Sequence, residues 1–234
     1  MLIAIVNQSS LISNADVARM SQAIASQIQL DAAPLWDRSP AAVVFYTDPS
    51  AIPPNAHVVT VTDTIKDQPA GVLGFHTEDQ GGKLWGTVAA QPELGNGGKP
   101  TTGDWSVSSV LSHEVLEMFI DPNCNLWSND GKGGIFTFEV CDPVEAPSYA
   151  IDGVSVSNFV TPAWFDPQAG AGAQFDKLGL LTAPFGILKS GYVVYAKAGQ
   201  DHQKFGEDFP RWRKEMKQGP YSRTHRRLTQ AAAV

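Results

Sequence analysis

The sequence predicts an α+β protein, and three observations carry that prediction. A strand-like opening run is followed by a stretch with apolar residues at helical spacing. Compact β-rich runs come next, rich in Val, Phe, Tyr and Thr. A second helical stretch near the middle of the chain bears clustered ionisable residues, and further strands follow it; this order is that of an α+β fold. At 234 residues the chain can bury a sizeable core as one domain, or as one domain with a smaller lobe. Its composition, 43% hydrophobic and 18% charged, is that of a globular protein and excludes a disordered one.

In chain order, Leu2 to Asn7 reads as the first strand. Its start lacks the basic segment of an export signal and runs directly into polar Gln8, Ser9 and Ser10. Ser13 or Asn14 caps a helix to about Leu30, with Val17, Met20, Ile24 and Ile28 on one face. Ala41 to Thr47 and His57 to Thr62 are β-rich runs on either side of a proline-punctuated loop. Gly71 to Thr77 and Leu84 to Ala89 read as two strands around a turn from Asp79 to Gly82. A Gly/Pro-rich loop spans Pro92 to Gly103, and Asp104 or Ser106 then caps a helix ending at Ile120. The helix stops there because Asp121 precedes Pro122, and a residue before proline avoids helical geometry. Phe136, Phe138 and Val140 alternate with Thr137, Glu139 and Cys141, the pattern of a half-buried strand. Asp152-Gly153 marks a hairpin between two more strands. Gly191 to Ala196 reads as the last strand.

The chemistry concentrates in His113-Glu114-Val115-Leu116-Glu117. In HExxH zinc proteases, two histidines one helical turn apart hold the metal and the glutamate beside the first activates water. Here the second histidine is a glutamate. Residues at i and i+4 share a helix face, so His113 and Glu117 can converge on one ion, with Glu114 projecting beside it. The plain alternative is an amphipathic helix whose solvated face happens to spell this motif. Downstream, Glu139 lies within folding-back distance as a third ligand. Asp142, three residues on, is placed to ligate or to orient the imidazole of His113. Their plain alternative is a solvated strand edge and a turn cap. His76, Tyr149 and His202 are the remaining candidates for steadying an oxyanion, each more ordinary as packing or surface. Cys124 and Cys141 flank this region and read as free thiols.

The order of elements and the helix-borne His-Glu-x-x-Glu resemble the zincin fold of metallopeptidases, with a mixed sheet beside the active-site helix. Glu139-x-x-Asp142 resembles a variant of the second gluzincin motif. More narrowly, the run from Ser112 to Pro122, then Trp127 and Glu139 to Glu145, resembles zincin-like proteins encoded by tailed bacteriophages. The short core S-H-E-x-x-E with its D-P and E-x-x-D is also similar to plant phosphate-induced (exordium-like) proteins. The resemblance implies that His113 and Glu117 are metal ligands, that Glu114 is the general base, and that Glu139 or Asp142 completes the set. It implies zinc as the ion. The loss of the second histidine leaves calcium or manganese open, since carboxylate-rich sites suit harder ions.

Two functions follow as expectations: a metal-dependent peptidase or amide hydrolase, or a non-catalytic assembly protein of a phage virion. The chain is expected to be cytoplasmic or built into a virion, with no membrane span, since no apolar run reaches the ~20 residues that crossing requires. Residues 205–234 hold seven basic residues and three acidic ones, a net +4 in a chain of net −7. That asymmetry divides a zincin-like body, 1–204, from a basic arm, 205–234, that docks on a protein partner or another copy. Nucleic acid is a weaker candidate for the arm, because no nucleic-acid fold signature accompanies it.

Overall fold

Five strands in the order β2-β1-β3-β5-β4 build the larger sheet: β1 (Leu2–Asn7), β2 (Ala42–Tyr46), β3 (His57–Thr62), β4 (Gly74–Glu78) and β5 (Leu84–Ala89). The computed structural model describes residues 1–68, 71–79, 82–170, 172–211 and 214. β1, β2, β3 and β5 are mutually parallel, and β4 runs antiparallel to β5 at the sheet's edge. The sheet is therefore mixed, and the protein is α+β. Ile3, Ala4 and Ile5 in β1 are completely buried, as a central parallel strand covered on both faces requires.

The β1–β2 crossover is α1 (Asn14–Gln27), opened by Ser13, whose hydroxyl accepts the Asp16 N–H. Val17, Met20 and Ile24 face the core as the spacing predicts. The helix does not stop near Leu30. It continues through a wider turn (Ile28–Ala32) into a short α2 (Ala33–Leu35), because Ile28, Ala32 and Ala33 carry the buried face onward.

Two helices follow β5, the first of them absent from the sequence reading. α3 (Ala90–Gly95) occupies part of the expected loop, and α4 (Val107–Ile120) carries the His-Glu-x-x-Glu. β6 (Trp127–Asn129) and β7 (Gly134–Thr137) join β10 (Tyr192–Lys197) and β11 (Gln200–Phe205) in a second, antiparallel sheet ordered β11-β10-β7-β6. β8 (Ser148–Ile151) and β9 (Val154–Ser157) form the expected hairpin. Asp152 and Gly153 at its tip both have positive φ, 49° and 76°, the geometry of a type I′ turn.

The strand expected through Val140 ends at Thr137 instead. β7 has ladder partners on both sides only to Phe136, and at Thr137 on the β6 side alone. Phe138 then turns into an aromatic cluster, stacked on Phe165 with ring centroids 4.0 Å apart and edge-on to Trp36. Val140 is tied across the chain by the Val160 N–H, 2.7 Å from its carbonyl. The stretch that bears Glu139 and Asp142 is thus irregular but anchored at both ends.

Phe205 pairs with Tyr192 as the last residue of β11, and Phe209 packs on Tyr192 and Val194. Packing therefore reaches past the expected boundary at residue 204. Residues 215–234, most of the expected basic arm, lie outside the described residues. Among the described residues no helix is long and apolar enough to cross a membrane.

Candidate metal centre

α4 begins with a reciprocal cap. The Ser106 hydroxyl accepts the Ser109 N–H at 3.1 Å, and the Ser109 hydroxyl accepts the Ser106 N–H at 3.2 Å. It ends at Asp121, whose carboxylate accepts the N–H groups of Asn125 and Leu126. Between these ends the helix is enclosed: every residue except Val110 and His113 is buried. Ser112 locks its position, donating to Gln27 of α1 at 2.7 Å while accepting the N–H of Ser157 of β9 at 3.0 Å.

That enclosure removes the plain alternative of a solvated polar face. Glu117 is 0% and Glu114 5% exposed. Glu139 and Asp142, at 4% and 2%, are buried too, so neither is a solvated strand edge. Burying an ionised carboxylate costs several kcal/mol unless a partner offsets it, and four such groups converge here.

Glu117 is the hub. Its Oε1 lies 3.3 Å from His113 Nε2 and accepts the Cys141 N–H at 3.2 Å. Asp142 Oδ1 lies 3.2 Å from the same His113 nitrogen. Ligand-capable atoms of Glu117, Glu139 and Asp142 all stand within 4.8 Å of one another, as do those of His113, Glu117 and Cys141. His113, Glu117, Glu139 and Asp142 are therefore brought to one place by α4 and the anchored segment after β7. Tyr192 on β10 hydrogen-bonds Asp142 from behind. Sequence reasoning did not single out Tyr192; it sits in a strand where a tyrosine is ordinary.

Donor spacing tests whether these residues fit an ion. With ligand bonds of about 2.0–2.2 Å, two ligands of a tetrahedral ion stand about 3.3–3.6 Å apart. The 3.2 and 3.3 Å separations around His113 Nε2 lie at that spacing. A single N–H cannot direct itself well at two oxygens, whereas a cation between the three atoms satisfies all of them. The residues fit a divalent ion.

The same closeness sets the charge state of the metal-free centre. Burial pulls the His113 imidazole down, but Glu117 first, then Asp142 and Glu114, outweigh it and hold the ring well above the ordinary imidazole value. Burial and the Glu117 charge push the Cys141 thiol well up, which keeps it neutral. Burial does the same to the Tyr192 phenol, reinforced by Asp142, Glu145 and Glu117.

Of the three oxyanion candidates, His76 alone reaches the centre, and it does so beside Glu114 and Glu117. It projects from β4 over α4, 3% exposed, with Nδ1 3.4 Å from Glu114 Oε2 and 3.9 Å from Glu117 Oε2. Gly74 and His76 share one face of β4, and a Cβ on Gly74 would meet Glu114 Oε1 at 2.9 Å. The missing side chain lets the strand lie directly on Glu114. The other two oxyanion candidates are engaged elsewhere. Tyr149 donates to Asp31 at 2.8 Å and accepts from Gln27, while His202 stacks on Tyr195. Both cysteines are free thiols.

An opening of about 20 Å³, room for about one water, reaches His113 between Glu145, Leu73 and Trp105. It shares Trp105 and Ala146 with a cleft of about 840 Å³ that Glu93, Asn96, Lys99 and Asp208 also line. Comparison with known proteins places nothing beside this arrangement: no family model, curated protein or solved structure matches the chain.

Proposed function

We propose that the protein is a zincin-like divalent-metal protein in which His113, Glu117, Glu139 and Asp142 hold an ion, zinc foremost. Its oxygen-rich donors also admit calcium or manganese. The observation that carries this reading is the meeting of His113, Glu117 and Asp142 at 3.2 and 3.3 Å, the spacing of ligands around an ion.

The reaction class that this centre supports best is hydrolysis of a peptide or another amide. Zinc supplies Lewis acidity to such a site, acidifying water and polarising a carbonyl. Glu114, beside the first ligand, accepts the proton of the attacking water and returns it to the leaving amine. The Trp105-lined cleft is of the size that takes small-molecule or short peptide ligands.

Zinc titration of the metal-stripped protein tests the reading. His113→Ala and Glu117→Ala are expected to weaken zinc binding by at least about a hundredfold, more than loss of an outer hydrogen-bond partner costs. Glu114→Gln is expected to keep the ion at His113 and to lose turnover of peptide substrates, because an amide cannot accept the proton. Undiminished zinc binding in Glu117→Ala overturns the reading.

One observation favours a second reading, a non-catalytic body of a phage virion protein. The His113 side chain is 12% exposed and the carboxylates around it less, and closed sites are the mark of structural metals. In that reading the +4 segment 205–234 docks on another protein of the assembly or on a second copy. A zinc-loaded protein that melts much higher than the stripped one, yet turns over no peptide, separates this reading from the first.

A further inference from the structure

The two oxygens of Glu117 face different partners. Oε1 is directed at His113 Nε2, 3.3 Å away, and at the Cys141 N–H. Oε2 is directed at His76 Nδ1, 3.9 Å away, on the side where Glu114 Oε2 also stands, 3.4 Å from the same nitrogen. His76, Glu114 and Glu117 thus form a group of their own, with one atom of each within 4.8 Å of the others and all three residues buried.

These separations are informative as lengths. Good charge-assisted contacts between nitrogen and a carboxylate run about 2.7–2.9 Å. The two around His76 are longer: 3.4 Å to Glu114 falls at the edge of a tetrahedral zinc polyhedron, about 3.3–3.6 Å, and 3.9 Å to Glu117 lies just beyond it. Chain geometry has also been arranged for this approach. The absent side chain of Gly74 leaves the space in which the Glu114 carboxylate lies under β4, so strand and helix present an imidazole and two carboxylates to one point.

We propose that Glu117 is a bridging carboxylate between two cation positions, one bounded by His113, Glu139 and Asp142, the other by His76 and Glu114. Two-ion centres of this kind hold their ions about 3.5–4 Å apart, a spacing that a carboxylate spans with one oxygen on each side. The inference rests on the metal reading of the His113 side and adds a second divalent ion, with one imidazole and two carboxylates as its donors, a set suited to zinc or manganese. It also gives Glu114 a different role. With the second position filled, Glu114 is a ligand through Oε2, and the proton-accepting role given to it above belongs to the centre holding one ion.

Stoichiometry tests this on the full chain. The stripped protein is titrated with zinc alone, desalted, and its bound metal counted per chain. Two ions are expected in the wild type, and one in His76→Ala and in Glu114→Gln. The second variant changes a single atom and guards against a folding failure in the first. One ion in the wild type, unchanged in both variants, overturns the bridged pair and leaves the His113 site standing. Two ions that persist in both variants also overturn it, because the second ion then lies elsewhere. No bound zinc in the wild type overturns both readings together.

Discussion

Gly74 is the residue on which the approach of β4 to α4 depends. A Cβ there would stand 3.1 Å from the carbonyl oxygen of Thr87 as well as 2.9 Å from Glu114 Oε1. The glutamate can swing aside, but the carbonyl belongs to β5, the neighbouring strand, and cannot. Gly74→Ala is therefore expected to cost about 1–3 kcal/mol, the usual penalty of overpacking a well-filled interior, and to lower the melting temperature measurably. A wild-type melting curve for this variant would show that the strand has slack there. The comparison with His113 and Glu117 explains what could be read from residues in a row. Those two meet because helical geometry puts i and i+4 on one face, a relation that the sequence carries in itself. His76 meets Glu114 across 38 residues of chain, through the placement of an edge strand over a helix. Nothing local marks that contact: the sequence offered His76 only as one of three oxyanion candidates, and its place beside Glu114 is set by the fold.

α4 shows the same contrast among whole elements. Its start at the Ser106 cap and its stop at Asp121-Pro122 are written in local chemistry, and both are seen. Ser106→Ala removes the acceptor for the Ser109 N–H and is expected to destabilise the protein by about 1 kcal/mol, within the range of about 0.5–2 known for N-caps. Chemical denaturation of the variant checks it, and no shift in the midpoint would mean that Ser108, 3.0 Å from Ser106 in hydroxyl-to-hydroxyl distance, takes over the cap. The parallel strands of the first sheet were also readable, since each is a compact apolar run. Three features besides α3 were not. β11, Gln200–Phe205, has no apolar alternation and is a strand because β10 offers it a partner. The turn before it places Ala198 at positive φ, a residue that does not advertise a hairpin. β7 stops at Thr137, where β6 ends, while β10 runs on to Tyr192 paired only with β11, although the alternation of side chains continues through Phe138. In each case the deciding partner lies far along the chain, and periodicity cannot report it.

For the molecule as a whole, the proposed metal reading would tie binding to pH through the charge state of the centre. The carboxylates hold His113 well above its ordinary value of 6.5, so in the metal-free protein the ring keeps its proton through neutral pH. That pairing stabilises the metal-free fold fully below the ordinary imidazole value, and the contribution is lost as pH rises through the raised value. A cation must displace the same proton. Zinc affinity is therefore expected to increase with pH across the window between the two values, by about tenfold per unit for one displaced proton. Titrations at several pH values between about 6.5 and 8 check this, and a flat profile would mean that the ring enters the complex already neutral. The burial of α4 on nearly every face carries one more consequence, in time and not in affinity. A helix so enclosed cannot shift to admit or release an ion, and Glu117 moves only with it. The residence time of an ion held there is then governed by how often the narrow opening beside His113, bounded by Leu73, Trp105 and Glu145, widens enough to pass it. A chelator would wait on that event, so zinc should leave at a rate that more chelator does not increase.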